Sequence, residues 1–224
     1  MTTPDDLETL AVAEADAAHE DADGRRRRGN RTRESILQAA ADLASVNGLE
    51  GLTIGTLAAE LGMSKSGLFA HFGSKEELQL ATIDAARRRF VDHVVKPSRQ
   101  LPRGRARLEA LLHDWLHYYR DQVFAGGCFF YAVKAEFDGR PDSKVREVVT
   151  EDAREFLAFL TREVRKAQEA GDIDSSVEAE QISFELDALG AAAHQHFQLM
   201  HDPAVFDRAE RAISARIESL ATQR

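Results

Sequence analysis

Residues 53–78 read TIGTLAAELGMSKSGLFAHFGSKEEL. Ile54, Leu57, Ala58 and Leu61 recur at helical spacing, and Thr53 stands where an N-cap belongs. Gly62 supplies the left-handed residue that ends this helix. Ser64 caps a second, very short helix over about Lys65 to His71. A third helix opens at Ser74, whose side chain and that of Glu77 have the spacing of a capping box. Two short helices held at a fixed angle, the second carrying Lys65, Ser66 and His71, form the build that delivers side chains to a DNA major groove.

Working outward, helix one is expected over about Asn30 to Val46, burying Ile36, Leu37, Ala40, Leu43 and Ala44, with Asn47-Gly48 as its stop. The helix after Ser74 continues through Arg87, Arg88 and Arg89 to about Val95, where Pro97 closes it. Those three arginines are expected to face solvent or to pair between domains. Five further helices are expected over about 105–123, 127–138, 142–170, 176–200 and 203–221, separated by glycine- and proline-bearing breaks. Leucine, alanine, glutamate and arginine dominate, there are 5 prolines, and the fold class is all-α. The N-terminal head has three helices, and the helix after Ser74 connects it to a C-terminal helical body.

Thr53, Ile54, Ala58, Gly62, Ser64, Lys65, Leu68, Phe69, His71, Phe72, Lys75, Glu76 and Leu78 also match a known pattern in order and spacing. Over roughly residues 31–80 the chain resembles the N-terminal domain of TetR-family transcriptional regulators. The continuation Phe-x-x-Phe-x-Ser-Lys-Glu-x-Leu makes this match more specific than a generic helix-turn-helix. The resemblance implies that Thr53 and Lys75 grip the DNA backbone beside helix N-termini. It puts Lys65, Ser66, Gly67 and Phe69 on the groove-facing side, with His71 near a phosphate. Gly67 has no side chain to read a base. Phe69 departs from the more usual family tyrosine, and its ring either packs on a thymine methyl or belongs to the core. Arg25, Arg26, Arg27 and Arg28, with Arg31, form a basic arm that can enter the minor groove, follow phosphates, or merely raise non-specific affinity.

The formal net charge of −9 suits a DNA binder only when it is divided along the chain. Residues 1–23 hold eight acids and no lysine or arginine, while residues 24–89 hold eleven basic and seven acidic groups. The head is the basic part, as phosphate neutralisation requires. Three domains follow: an acidic arm over 1–24, expected to lack stable structure, a helix-turn-helix domain over 25–80, and a C-terminal ligand-binding and dimerisation domain over 81–224. The acidic arm either is a solvated leader or folds back on Arg25–Arg28 and competes with DNA, a competition that deleting residues 2–23 would relieve.

The ligand-gated role implied by the resemblance asks the body to dimerise and to hold an effector. Ile182, Leu186, Leu189, Ala193, Phe197 and Met200 make one stripe, and Phe206, Ala209, Ile213, Ile217 and Leu220 another. Their faces are expected either to form a four-helix bundle with a second copy or to bury within the chain. Gly190, costly in mid-helix, suggests a close crossing. Trp115, Tyr119, Cys128, Phe129, Phe156 and Phe159 are the candidate lining of an apolar ligand pocket. Cys128 reads as a small buried hydrophobe more readily than as a redox sensor. His113 and His117 share a helix face, but no third ligand accompanies them, so neither metal nor cofactor is expected.

No nucleophile motif, phosphate loop or metal constellation suggests an enzyme. The N-terminus lacks an apolar signal region, no run of about 18 apolar residues is present, and a lone cysteine suits a reducing compartment. The expectation is a cytoplasmic homodimer that binds a double-stranded palindromic operator, most simply as a repressor released by a small, largely apolar effector. The alternative is a ligand-independent regulator or an architectural DNA-binding protein.

Overall fold

The computed structural model describes residues 29–222, all helical apart from turns and two isolated bridges. Helix α1 covers residues 29–51, and α2 (Ile54–Glu60), α3 (Lys65–Phe72) and α4 (Lys75–Phe90) complete the head. The axis of α4 runs on through a π-helical turn, Val91–Val95, and a last turn, Lys96–Ser98. The body follows as α5 (Arg105–Arg120), α6 (Phe129–Phe137), α7 (Lys144–Glu169), α8 (Ala179–Met200) and α9 (Ala204–Ser219). No described helix is long and apolar enough to cross a membrane. The acidic arm and Arg25–Arg28 lie outside the described residues.

Local chemistry explains most boundaries. Helix α1 buries Ile36, Leu37, Ala40, Ala41 and Ala44, while Leu43 sits at the core margin. It continues past Gly48, whose φ of 75° breaks the regular turn, and ends five residues beyond the expected Val46. Only half of the capping box at α4 forms. The Ser74 hydroxyl accepts the Glu77 N–H at 3.1 Å, but the Ser74 N–H donates to the Phe72 carbonyl and leaves no place for Glu77. Pro97 does not stop α4. It sits at the start of the final turn, where its missing N–H costs nothing.

Helices α7, α8 and α9 pack side by side against α5, and this packing corrects the expected dimer stripe. Ile182, Leu186, Ala193, Phe206, Ile213, Ile217 and Leu220 are buried within their own chain. Leu189 and Phe197 pack against the same core, where Phe197 meets the Phe206 ring at 4.9 Å. Gly190 does mark a close approach, but to Trp115. A Cβ there would stand 2.8 Å from the indole ring of the same chain. Most of the expected stripe on α8 and α9 is therefore covered by intrachain packing, while Met200 at its end stays exposed.

Head and body are joined by more than the α4 connector. Arg89 of α4 pairs with Asp42 of α1 at 3.0 Å, donates to the Val123 carbonyl, and lies 4.4 Å above the Phe124 ring. The loop before α6 presses on α1 at Gly126, whose N–H donates to Ser45 Oγ at 2.8 Å. A Cβ on Gly126 would stand 2.1 Å from the Ser45 carbonyl oxygen. Glu136 of α6 then accepts the backbone N–H groups of Leu49 (2.6 Å) and Glu50 (3.0 Å).

Candidate nucleic-acid interface and effector cavity

The turn between α2 and α3 is fixed by its own caps. Thr53 Oγ1 accepts the Thr56 N–H and Thr56 Oγ1 accepts the Thr53 N–H, each at 3.0 Å, so the box closes with threonine in place of glutamate. Gly62 adopts φ 61°, and the Met63 N–H reaches back to the Ala58 carbonyl at 2.9 Å. Ser64 Oγ accepts the Gly67 N–H at 3.1 Å and occupies the space a Cβ at Gly67 would crowd. The cap therefore crowds any larger side chain at position 67.

This geometry divides α3 cleanly. Leu68 and Phe72 are buried, whereas Lys65, Ser66 and Phe69 are exposed on one face. Phe69 is 54% exposed, so it stands outside the core. His71 is half-buried beside the Phe72 ring, and Arg31 is exposed in the first turns of α1. Lys75 is not a bare cation. Its Nζ donates to the Glu50 carboxylate at 2.8 Å and to the Glu50 carbonyl at 2.9 Å. The Lys75 bond holds the Glu50 carboxyl below its ordinary range, so a phosphate at Lys75 must share the ammonium with an ionised partner.

A cavity of about 650 Å³ lies in the body between α4, α5, α6 and α7. Trp115, Tyr119, Cys128, Phe129, Phe156 and Phe159 all border it, as do Phe90, Phe130 and Tyr131. The Phe90 ring meets Phe130 and Phe156 edge-on, each at 5.8 Å. The cavity also has a charged lining beyond the expected aromatic residues. Arg87 donates to Asp152 Oδ1 in the cavity wall, and the Asp152 side chain is only 9% exposed. Its Oδ2 has no partner among the described residues, and burial raises its pKa against the pull of Arg87. Helical register is the signal that was available, since Arg87 and Asp152 follow Ile83 and Val149 by about one turn on the same faces. Burial also pushes the Cys128 thiol up, which disfavours the reactive thiolate. His113 and His117 stack at 4.0 Å on the surface, and the described residues hold no group of three metal-ligating side chains.

The sequence matches two family profiles. Residues 36–82 match the bacterial regulatory proteins of the tetR family, and residues 104–213 match the tetracyclin repressor-like C-terminal domain. The chain belongs to the TetR family. It is a DNA-binding regulator of transcription rather than an enzyme, and the family's members dimerise. A TetR-family regulator from Cytophaga hutchinsonii superposes with a TM-score of 0.76 at 19% identity, covering 88% of this chain and 98% of the other. One from Chloroflexus aurantiacus J-10-FL gives 0.74 at 25% identity, covering 87% and 98%. AibR, solved with isovaleryl coenzyme A and operator DNA, gives 0.62 at 19% identity, covering 84% and 98%. Among curated proteins nothing matches the chain.

One buried group behind the cavity should make the folded chain sensitive to acid. His194 of α8 is 5% exposed, lies against the Tyr119 and Tyr131 rings at 5.0 and 5.1 Å, and has neither ring nitrogen hydrogen-bonded to a described residue. Burial pushes its pKa down to about 4 from an ordinary 6.5. The folded chain therefore keeps His194 neutral at pH values where the unfolded chain takes up a proton. Stability should be full above pH 6.5 and fall as pH drops toward 4, by about 3 kcal/mol in total. Urea midpoints across that window check this: the slope should flatten in His194→Leu, and an unchanged slope would assign the acid loss to other groups.

Proposed function

We propose that the regulator is a repressor that binds a palindromic operator through two copies of α3 and leaves it when a small molecule fills the body cavity. The observation that carries this reading is the cavity's position. Its walls include α4, which continues directly from the head, and α6, whose Glu136 holds the backbone of Leu49 and Glu50. A ligand that binds more tightly when α4 and α6 are displaced moves the head with them, and a ligand without that preference shifts nothing. The functional division at residues 80 and 81 falls inside α4, so it separates roles within one continuous helix.

Lys65, Ser66 and Phe69 are the groove-facing set, with Thr53, His71, Lys75, Arg31 and the Arg25–Arg28 arm on phosphates. Dimerisation uses the exposed side of α8, where Phe184 (64% exposed) and Leu199 (83% exposed) flank Ala188, Ala192 and Gln195. Residues 184, 188, 192, 195 and 199 repeat at the spacing of one helix face.

Binding of the purified protein to fragmented genomic DNA at physiological salt, followed by sequencing, tests the reading. A sharp palindromic site is expected. Phe69→Ala should reduce retention at that site by about tenfold while leaving salt-sensitive background binding unchanged. Diffuse retention by the unmodified protein would instead indicate a head that binds phosphate without reading sequence.

A further inference from the structure

The cavity is apolar through its middle but carries uncompensated positive charge at one end. Helices α4 and α7 run parallel along it. Arg87 bonds Asp152, and the Phe90 and Phe156 rings meet at 5.8 Å, so both chains advance in the same direction. Continuing that register leads along the connector through Val91, Val95 and the π-helical turn to Arg99, which caps its last turn, and through Phe159 to Arg162 on α7. The axis advances about 14 Å from Phe90 to Arg99 and about 9 Å from Phe156 to Arg162, so both arginines lie toward the end away from the head. Neither guanidinium has a hydrogen bond or ion pair to a described residue.

The remaining charges sit elsewhere on the wall. Arg87 and Asp152 neutralise each other about one turn nearer the head than Phe90 and Phe156, with Glu155 near enough to both to act on their charges. Arg154 faces Glu151 at 3.5 Å. Lys134 lies on the antiparallel α6, which Phe137 and Arg146 tie to the opposite end of the wall, with its ammonium 4.6 Å from the Tyr131 ring centroid. Two arginines without an acid at one end of a low-dielectric cleft focus a positive potential there. Guanidinium groups recognise carboxylate and phosphate oxygens in a planar, two-pronged way.

We infer that the effector is an amphipathic anion. An apolar chain lies along Phe90, Phe130 and Phe156, and a carboxylate or phosphate group is held by Arg99 and Arg162. This rests on the ligand-release reading above and names the class of molecule that reading leaves open.

Calorimetric titration of the full-length protein with octanoate, octanamide and octylamine tests the class, since the three share a chain and differ in head-group charge. Octanoate should bind at least about tenfold more tightly than octanamide, with octylamine weakest. The double variant Arg99→Gln/Arg162→Gln should bring octanoate within about twofold of octanamide while leaving octanamide affinity unchanged, because both arginines are exposed and the apolar wall is untouched. Octanoyl coenzyme A distinguishes the anion's source. Tighter binding than octanoate, lost in the same variant, assigns the arginines to phosphates, and weaker binding assigns them to a free carboxylate. Equal binding of acid and amide, no binding, a preference for the amine, or a preference that survives in the double variant overturns the assignment. Operator retention is read separately. Arginine-dependent octanoate binding that leaves DNA bound upholds the ligand class and rejects release, whereas failure of octanoate to bind rejects only the class.

Discussion

Phe184→Asp/Leu199→Asp should turn the regulator into a folded monomer with operator affinity reduced by at least about a hundredfold. Helix α8 has two unlike sides. One side, with Ile182, Leu186 and Ala193, is sealed against α5, α7 and α9, and a charge there would unfold the chain. The other presents Phe184 and Leu199 to solvent, with alanines between them. Large apolar side chains left exposed along one helix face mark an interaction surface. In a two-fold dimer the same patch meets itself, so each aspartate is introduced on both partners at once. Loss of the dimer turns an intramolecular second half-site contact into an independent one, which removes the gain in effective concentration. Sedimentation reads the mass, and retention of a palindromic fragment reads the affinity. Leu186→Asp is the contrasting variant: it should abolish the cooperative unfolding transition. A dimer that persists in Phe184→Asp/Leu199→Asp would place the interface elsewhere.

The same helix shows what the sequence could and could not disclose. Both stripes of α8 are apolar, and periodicity alone cannot say which one its own chain covers. That depends on Trp115 reaching Gly190 from α5 and on Phe206 meeting Phe197 from α9. The helix-turn-helix was legible because its determinants are local. Thr53, Gly62 and Ser64 act on backbone groups within five residues of themselves. The aromatic half of the cavity was legible because burying large rings in helices leaves few other arrangements. Its charged half was not, since Arg87 and Asp152 are 65 residues apart and each alone reads as a surface helical residue. Glu136 was missed for the same reason: its partners are backbone N–H groups 86 and 87 residues away, which no side-chain pattern announces.

Glu136→Ala should therefore do far more than remove a charge from a short helix. The carboxylate accepts two N–H groups just past Gly48, whose φ of 75° departs from helical geometry. Charge-assisted bonds to backbone donors are each worth about 1.5–3 kcal/mol, and truncation leaves both donors to partial solvation. A loss of about 2–3 kcal/mol in unfolding free energy is expected, with amide exchange at Leu49 and Glu50 accelerated before the rest of α1. Glu136→Gln should fall between, because its amide oxygen can accept one N–H while its NH₂ faces the other. The functional consequence follows from α6, which carries Glu136 at one end and lines the effector cavity with Phe129, Phe130 and Val133. If ligand displaces the head through α6, Glu136→Ala should bind ligand with unchanged affinity yet respond to it with a smaller change in operator affinity. The α4 connector is the competing route, since its own residues Arg87 and Phe90 also border the cavity. Full ligand response in Glu136→Ala would leave α4 as the lever and make the Glu136 contact purely structural, a result that the stability and exchange measurements alone could not distinguish.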